Sequence, residues 1–221
     1  MCGRYSLHHS PDQIAMRFGV QEMLVSPAER YNIAPTQPVA VVVQQEGQRL
    51  LEAYQWGLIP AWAKDPGIGN KLINARAETL AEKPAFKQAL VRRRCLIPSD
   101  GFYEWKKEEK ARQPMYIRRK DEALFAFAGL WEEWRQEDGA PLRTCTIITV
   151  PPNELLAPIH DRMPAILRPE DEALWLDTSR KNVPDLLAAL QPYPAEAMEA
   201  YPVSRRVNTP LVDDPALLNF L

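Results

Sequence analysis

Short runs of apolar residues, separated by turn-forming segments, recur along most of the chain. Residues 39–43 are continuously apolar, which is typical of a buried strand, whereas residues 50–56 alternate loosely between apolar and polar side chains. By these criteria, strands are predicted at residues 39–43, 50–56, 102–105, 115–117, 124–131 and 144–150. The strands follow one another too closely for regular β-α-β units, so we expect them to pair mostly antiparallel.

Five short helices are predicted among these strands. Several begin with proline in the first turn, where the missing N–H of proline costs least. Their predicted positions are residues 12–18, 84–91, 151–157, 169–176 and 184–190. The mixture predicts an α+β fold, with a curved, mostly antiparallel, β-barrel-like core and short flanking helices.

Composition favours one globular domain. The chain has 221 residues, of which 46% are hydrophobic and 21 are proline, and no linker or repeat divides it. We therefore expect a single domain over residues 1–221 with many turns.

The sequence has no run of 18 apolar residues and no apolar leader, so we expect neither a membrane span nor secretion, but a cytoplasmic protein. Three cysteines without a Cys-x-x-Cys pair predict no disulfide and no zinc site.

Charge is unevenly distributed, although the formal net charge is only −2. Residues 1–120 contain 19 Lys and Arg against 12 Asp and Glu, whereas residues 121–221 contain 8 against 17. A basic half can present a local phosphate-binding face. The alternative is ordinary, scattered surface charge.

Cys2 directly follows the initiator methionine. Methionine is commonly removed before a small residue, and the mature chain would then begin with a thiol and a free α-amine on adjacent carbons. Their reference pKa values are ~8.5 and ~8, so both groups are partly nucleophilic near neutral pH. The thiolate can act as the nucleophile of a hydrolase. Alternatively, the amine can condense with an aldehyde to an imine, which the thiolate then closes to a five-membered thiazolidine.

Two titratable side chains are candidates for the proton transfers that either reaction needs. Glu104 lies in an aromatic strand, where it is either on the solvent face or partly buried with a raised pKa. His160 is an acid–base candidate for which a structural role is the alternative. His8 and His9 lie in a polar stretch and are expected to be exposed.

Other polar residues have an ordinary structural interpretation. Asn74 can be a turn residue, and Arg92, Arg93 and Arg94 can be the solvated end of a helix. Cys95 and Cys145 lie in apolar runs and are expected to be inert packing residues. The sequence has no metal, dinucleotide, P-loop or serine-hydrolase motif, so no metal and no cofactor is predicted.

Six segments, taken together and in this order, closely resemble the SRAP family, the SOS response-associated peptidases or abasic-site processing proteins. The segments are CGRY at 2–5, RYNIAP at 30–35, WGLIP at 56–60, INARAET at 73–79, GFYEW at 101–105 and IHDRMP at 159–164. One segment alone would be a weak signal, but six in order are specific. The matched core is residues 1–207, and residues 208–221 form a C-terminal tail without a match.

The resemblance implies a protein that binds single-stranded DNA at an abasic site and captures the ring-opened sugar as a covalent thiazolidine on Cys2, which shields the lesion from cleavage. It implies that Cys2 is the nucleophile, once Met1 has been removed. It further implies that Asn74 positions the sugar, that Glu104 handles the amine and ring-oxygen protons, and that His160 is a second acid or base. The implied DNA-binding residues are Arg4, Asn32, Pro35, Trp62, Arg76, Trp105 and Arg162, with the arginines on phosphates and the tryptophans on bases.

The implied partner is single-stranded DNA that contains abasic sites, with no membrane and no metal, and we expect a monomer. Two other functions stay open at this point. One is a thiol peptidase in which Cys2 and His160 form a dyad. The other is a module that binds single-stranded or modified DNA without a covalent bond.

Overall fold

The computed structural model describes residues 2–109 and 111–221. In these residues the strands are β1 (Tyr5–Leu7), β2 (Glu22–Met23), β3 (Arg30–Ile33), β4 (Pro38–Gln45), β5 (Gln48–Trp56), β6 (Asn74–Arg76), β7 (Arg94–Ser99), β8 (Gly101–Lys107), β9 (Arg112–Arg119), β10 (Phe125–Arg135), β11 (Pro141–Val150), β12 (Met163–Pro164) and β13 (Met198–Pro202). The α-helices are α1 (Pro11–Phe18), α2 (Lys87–Arg92), α3 (Pro169–Leu176) and α4 (Val183–Ala188). Short 3-10 helices lie at Pro66–Lys71, Ala77–Thr79, Ala195–Ala197, Arg205–Asn208 and Pro215–Leu218.

Five strands close into a barrel. Strands β11, β10, β7, β4 and β5 pair antiparallel in that order, and β5 then pairs parallel with β11, with Trp56 opposite Cys145. Residues 39–43 of β4 are buried at every position, which explains their continuous apolar pattern. The predicted α+β fold with a curved, barrel-like core is therefore confirmed.

A second sheet carries the N-terminus. Its strand order is β13-β9-β8-β1-β3, and each neighbouring pair is antiparallel. Tyr5 of β1 lies opposite Phe102 of β8, so the residues that precede Tyr5 run beside those that follow Phe102. This register brings the Cys2 end of the chain next to Glu104.

The helices are short and have clear end signals. Ser10 caps α1 through a capping box with Gln13, and Gly19 ends the helix with a φ of 61°, which favours glycine. Helices α3 and α4 have proline in the first turn, as predicted. Helix α1 begins at Pro11, one residue before its predicted start, and α2 begins at Lys87, three residues after its predicted start. In the part of the chain that the structure describes, no helix is long and apolar enough to cross a membrane.

The helix predicted at residues 151–157 is wrong. This segment forms a series of turns instead. The side chain of Asn153 accepts the N–H of Leu156 at 3.0 Å and donates to the carbonyl of Tyr193 at 2.7 Å. The Asn153 side chain hydrogen-bonds to backbone groups that would otherwise bond within a helix, and this stabilises the turn over a regular helix.

The interpretation of residues 92–94 as a solvated helix end is wrong for Arg94. Arg94 begins β7 and is 1% exposed. Its guanidinium donates hydrogen bonds only to backbone carbonyls, those of Leu90, Val91, Trp175, Asp177 and Arg180. A buried cation is tolerated here because its donors are satisfied by these oxygens.

The C-terminal tail, residues 208–221, is part of the folded unit. Leu217 is fully buried in a small second core with Tyr103 and Tyr116. The N–H of Leu221 donates to the carbonyl of Pro202 at 3.1 Å. The local sequence pattern of the tail gave no prediction of this packing.

Candidate active site

Cys2 lies in the interior of the protein, next to Glu104. The Cys2 side chain is fully buried. Burial is the main cause that raises the pKa of its thiol far above the usual range, and the negative charge of Glu104 raises it further. A hydrogen bond from the backbone N–H of Arg4 acts in the opposite direction but is outweighed. The thiol is therefore neutral at physiological pH.

Glu104 is a buried carboxyl group. It lies on β8 and is 2% exposed, so the sequence-based alternative of a solvent-facing residue is excluded. Burial raises its pKa from an ordinary 4.5 to about 7. A group with this pKa is present in both protonation states near neutral pH, which suits proton transfer.

His160 faces Glu104 across the site. Its Nε2 lies 3.9 Å from Oε2 of Glu104. Its Nδ1 accepts the backbone N–H of Arg162 at 3.0 Å, so the neutral imidazole carries its proton on Nε2, toward Glu104. Burial lowers the pKa of His160, although the exposed Asp161 carboxylate, 2.9 Å from Nδ1, favours the charged form. At 3.9 Å the two groups are too far apart for a direct hydrogen bond, so a proton passes between them only through a water or a bound substrate.

Asn74 begins β6, a three-residue strand that pairs parallel with β11 opposite Ile147. Its Nδ2 lies 3.5 Å from the carbonyl of Ile147, which is a weak contact. Its Oδ1 is buried and has no hydrogen-bond partner among the described residues. An unpaired buried acceptor costs ~1–3 kcal/mol, so this oxygen is suited to a ligand. The alternative of a turn residue is wrong, because Asn74 lies in a strand.

Arg76 and Arg162 lie on either side of Thr149 of β11. Arg76 is opposite Thr149 in the β6–β11 pairing, and its side chain is exposed. Arg162 donates to the carbonyl of Thr149 at 2.6 Å and forms a two-bond ion pair with Glu78 at 2.7 and 3.0 Å. Arg76 is therefore open to a ligand, whereas Arg162 already holds the loop that follows His160.

Arg4 connects the start of the chain to its end. The guanidinium donates to Oδ1 of Asn32 at 2.7 Å and to the carbonyl of Val207 at 2.6 Å. It also lies 5.8 Å from the ring centroid of Trp105, whose Nε1 donates to Oδ1 of Asn208 at 2.8 Å. Arg4 and Trp105 thus form one group that rests on the 3-10 helix Arg205–Asn208.

Asn32 is fully buried, and its predicted contact with DNA stays a prediction. Its Nδ2 donates to three backbone carbonyls of the C-terminal segment, those of Val207, Thr209 and Val212. These hydrogen bonds tie β3 to the C-terminal segment. Pro35 is half-buried in the turn between β3 and β4, and Trp62 is 61% exposed in the loop after β5.

Asp100 is a residue that the sequence reasoning missed. Asp100 is 5% exposed. Its carboxylate accepts hydrogen bonds from the backbone N–H groups of His8 and His9, and it also contacts Nδ1 of the His9 ring. The expectation that both histidines are exposed is wrong, since each is partly buried against Asp100. Among the described residues, these three are the one group that could hold a metal ion by composition and spacing, and they lie at the opposite end of β1 from Cys2.

The local sequence offers no signal for these contacts, because the partners are about ninety residues apart. Asp100 joins the strand that follows Cys2 to the strand that carries Glu104. The cluster therefore fixes the register of β1 and β8 from the far end. Cys95 and Cys145 were predicted to pack in the core, and both are fully buried.

The site and fold define a family. Residues 1–210 match the model of the SOS response associated peptidase (SRAP) family, and the chain belongs to it. This confirms the resemblance found in the six segments. The match ends inside the C-terminal segment that contacts Arg4.

Named relatives cover almost the whole chain. The chain is 48% identical over 221 residues to "Abasic site processing protein YoqW" of Bacillus subtilis, with 99% of each chain covered. It is 47% identical over 222 residues to "Abasic site processing protein YoaM" of the same organism, with 99% and 98% covered. The solved structure of a protein from Bacteroides thetaiotaomicron covers 100% of both chains with a TM-score of 0.91 and 30% identity.

Proposed function

We propose that this protein processes abasic sites in DNA by forming a covalent cross-link to them in single strands, through a thiazolidine built on Cys2 after Met1 has been removed. The names of its relatives support the substrate, since they are called abasic site processing proteins. The single observation that carries the chemistry is the position of Cys2, buried beside a carboxyl group with a pKa of about 7. The cytoplasmic location and the monomeric state stay predictions.

The reaction needs no cofactor. The α-amine of Cys2 adds to the aldehyde of the ring-opened sugar, and loss of water gives an imine. The sulfur of Cys2 then adds to the imine carbon, and the nitrogen takes up the thiol proton. The sum is one aldehyde and one aminothiol converted into one thiazolidine and one water, with no oxidant or reductant.

Two residues supply the proton transfers. Glu104 accepts a proton from the Cys2 amine or thiol, because a carboxyl group with a pKa of about 7 is partly ionised at neutral pH. His160, with a proton on Nε2 near Glu104, donates to the hydroxyl that leaves as water. Ring closure removes the imine, which would otherwise favour elimination of the 3′ phosphate and strand cleavage.

The sugar and the strand have separate contacts. The unpaired, buried Oδ1 of Asn74 accepts a hydrogen bond from a sugar hydroxyl. Arg76 is exposed and binds a phosphate, whereas Arg162 can do so only by sharing its guanidinium with Glu78. Trp62, which is 61% exposed, provides a surface on which a base can stack.

A thiol peptidase is less well supported. A nucleophilic thiol in a Cys–His dyad needs a lowered pKa. Burial and Glu104 instead raise the pKa of Cys2, and the Nε2 of His160 is directed to Glu104. In thiazolidine formation the amine reacts first, and Glu104 can take the thiol proton as the sulfur adds to the imine carbon, so the thiol does not need a lowered pKa beforehand.

The test is a denaturing gel after the protein has been mixed with single-stranded DNA that contains one abasic site. We expect an adduct that survives heating in detergent, from protein whose mass lacks Met1. Cys2→Ser should lose the stable adduct, whereas the matched variant Cys95→Ala, which alters another buried thiol, should keep it. An adduct from Cys2→Ser, or from protein that retains Met1, would refute the thiazolidine. Strand binding without any adduct from the parent protein would favour a non-covalent module.

Single-turnover rates at saturating protein separate the two acid–base groups. Glu104→Gln should slow cross-linking by ~10²-fold or more, the scale of a positioned acid or base. His160→Ala should have a smaller effect, since water can replace a donor at a half-buried position. A parental rate in Glu104→Gln, with normal strand binding, would contradict the assignment of Glu104.

A further inference from the structure

Three metal-ligating side chains meet at the end of β1 that is remote from Cys2. His8 and His9 follow β1 directly, and Asp100 lies between β7 and β8. One nitrogen of each imidazole and one carboxylate oxygen lie within 4.8 Å of one another. Zinc binds imidazole nitrogens and carboxylate oxygens, and sites with three protein ligands keep a fourth position for water. The search for metal motifs in the sequence missed this group, because Asp100 is 92 residues from His8 along the chain.

The carboxylate of Asp100 is held with one oxygen available to an ion. Its Oδ2 accepts the backbone N–H groups of His8 and His9, the second at 3.2 Å. These two hydrogen bonds use both lone pairs of Oδ2. Oδ1, which contacts Nδ1 of His9, is therefore the oxygen left for a ligand. The backbone N–H of Asp100 donates to the carbonyl of Ser6 at 3.0 Å, so the main chain at this position is fixed as well.

The Nδ1 of His8 is a buried nitrogen without a hydrogen bond among the described residues. It lies 3.1 Å from Oδ2 of Asp100, but the contact does not have the geometry of a hydrogen bond. A neutral imidazole that keeps its proton on Nε2 presents a lone pair at Nδ1. Because a buried acceptor without a partner is unfavourable, a cation at this position stabilises the arrangement.

Both imidazole rings are positioned and accessible. The His8 ring stacks on the Tyr31 ring, with centroids 5.3 Å apart and planes inclined by 14°. The side chains of His8 and His9 are 30% and 27% exposed, so an ion and a water molecule can reach them. Ligand atoms around a tetrahedral Zn²⁺ lie roughly 3.3–3.6 Å apart, since each bond is about 2.0–2.2 Å long. The observed spread of 4.8 Å or less is close enough that small rotations of the rings complete the site.

We propose that His8, His9 and Asp100 bind one Zn²⁺, with water as the fourth ligand. The ligand atoms are Nδ1 of each imidazole and Oδ1 of the carboxylate. The imidazole proton of His9, which Nδ1 shares with Oδ1 of Asp100, moves to Nε2, so that the ion binds two neutral imidazoles. The ion ties the segment after β1 to the start of β8, the two strands that place Cys2 beside Glu104. This site is separate from the candidate active site and does not depend on the proposed function.

The experiment follows the imidazole resonances of isotope-labelled histidine by NMR during a titration with Zn²⁺. The chain has three histidines, so each can be followed individually. Because the Cys2 thiol is itself a zinc ligand by its chemistry, the titration is carried out in Cys2→Ser. The resonances of His8 and His9 should shift as one Zn²⁺ binds, whereas those of His160 should not. Mg²⁺, which prefers oxygen ligands, should shift none of them.

Variants of the two histidines identify the ligands in the same Cys2→Ser protein. His8→Gln and His9→Gln, which keep the backbone N–H groups on Asp100, should each weaken Zn²⁺ binding at least ~10-fold by isothermal titration calorimetry. His160→Ala is the matched control, since it removes the third imidazole, and its affinity should be unchanged. Zn²⁺ at about a hundredfold excess over its Kd should raise the Tm by roughly 5–10 °C, but not in the double variant of His8 and His9. Unshifted His8 and His9 resonances, or an unchanged affinity in that double variant, overturn the proposal.

Discussion

Replacing Glu104 by Gln should stabilise the protein at neutral and alkaline pH. The folded protein holds the pKa of this carboxyl group at about 7, against an ordinary 4.5, because the side chain is buried. The folded state therefore keeps a proton that the unfolded state has already released. As pH rises from about 4.5 to about 7, unfolding becomes easier, and above that range the loss is constant.

The size of the effect follows from the two pKa values. Each pKa unit corresponds to 1.36 kcal/mol, so the difference between 4.5 and about 7 predicts a loss of ~3 kcal/mol in the free energy of unfolding. Gln has nearly the same shape and cannot ionise, so Glu104→Gln should escape this loss. Its advantage should be near zero below pH 4.5 and approach ~3 kcal/mol above pH 7.

The assay is urea unfolding of both proteins at a series of pH values from 4 to 8, after mass spectrometry has established that they share the same N-terminus. Glu78→Gln is a control of opposite sign. The ion pair with Arg162 lowers the pKa of Glu78, so that variant should lose stability at neutral pH and approach the parent in acid. A difference between Glu104→Gln and the parent that does not change with pH would refute the reasoning, as would a less stable variant at pH 8.

Three further substitutions test the contacts that support the site. Arg94→Met should lower the free energy of unfolding by ~3 kcal/mol, because it leaves several buried carbonyls without a donor. Urea unfolding measures this loss, and a loss below ~1 kcal/mol would contradict the prediction. Gly101→Ala should lower the free energy of unfolding by at least ~2 kcal/mol, since the added Cβ would overlap the Tyr116 phenol. A thermal unfolding midpoint equal to that of the parent would contradict this. Asn32→Ala should cost ~1–3 kcal/mol and expose the C-terminal segment to limited proteolysis, and an equally resistant tail would show that Asn32 does not hold it.

Sequence reasoning performed well where a signal is local. The apolar run at residues 39–43 and the alternation at residues 50–56 correspond to β4 and β5, because burial of one or both faces of a strand leaves its period in the sequence. Proline in the first turn correctly marked α3 and α4 to within two residues at either end. The same reasoning failed at residues 151–157, where the side chain of Asn153 takes over the local hydrogen bonds.

The candidate chemistry could also be read from the sequence, but only in part. A cysteine after Met1 specifies an aminothiol whatever the fold, and the six ordered segments identified the family. The sequence left open whether Glu104 faces solvent or the interior. The pairing of β1 with β8 decided this, since it places Glu104 in the interior beside Cys2 and gives its carboxyl group a pKa of about 7.

The amino-acid sequence by itself determined several of the strands, the ends of α3 and α4 and the N-terminal cysteine, since each depends on neighbouring residues. The tertiary structure alone decided which arginine side chains are free to bind a ligand. Arg162 is paired with Glu78, 84 residues away in the chain, and Arg4 binds the carbonyl of Val207, 203 residues away. Arg76, by contrast, is exposed and open to a ligand. The availability of a charge depends on which distant groups the fold brings within hydrogen-bonding distance, and no local pattern encodes those distances.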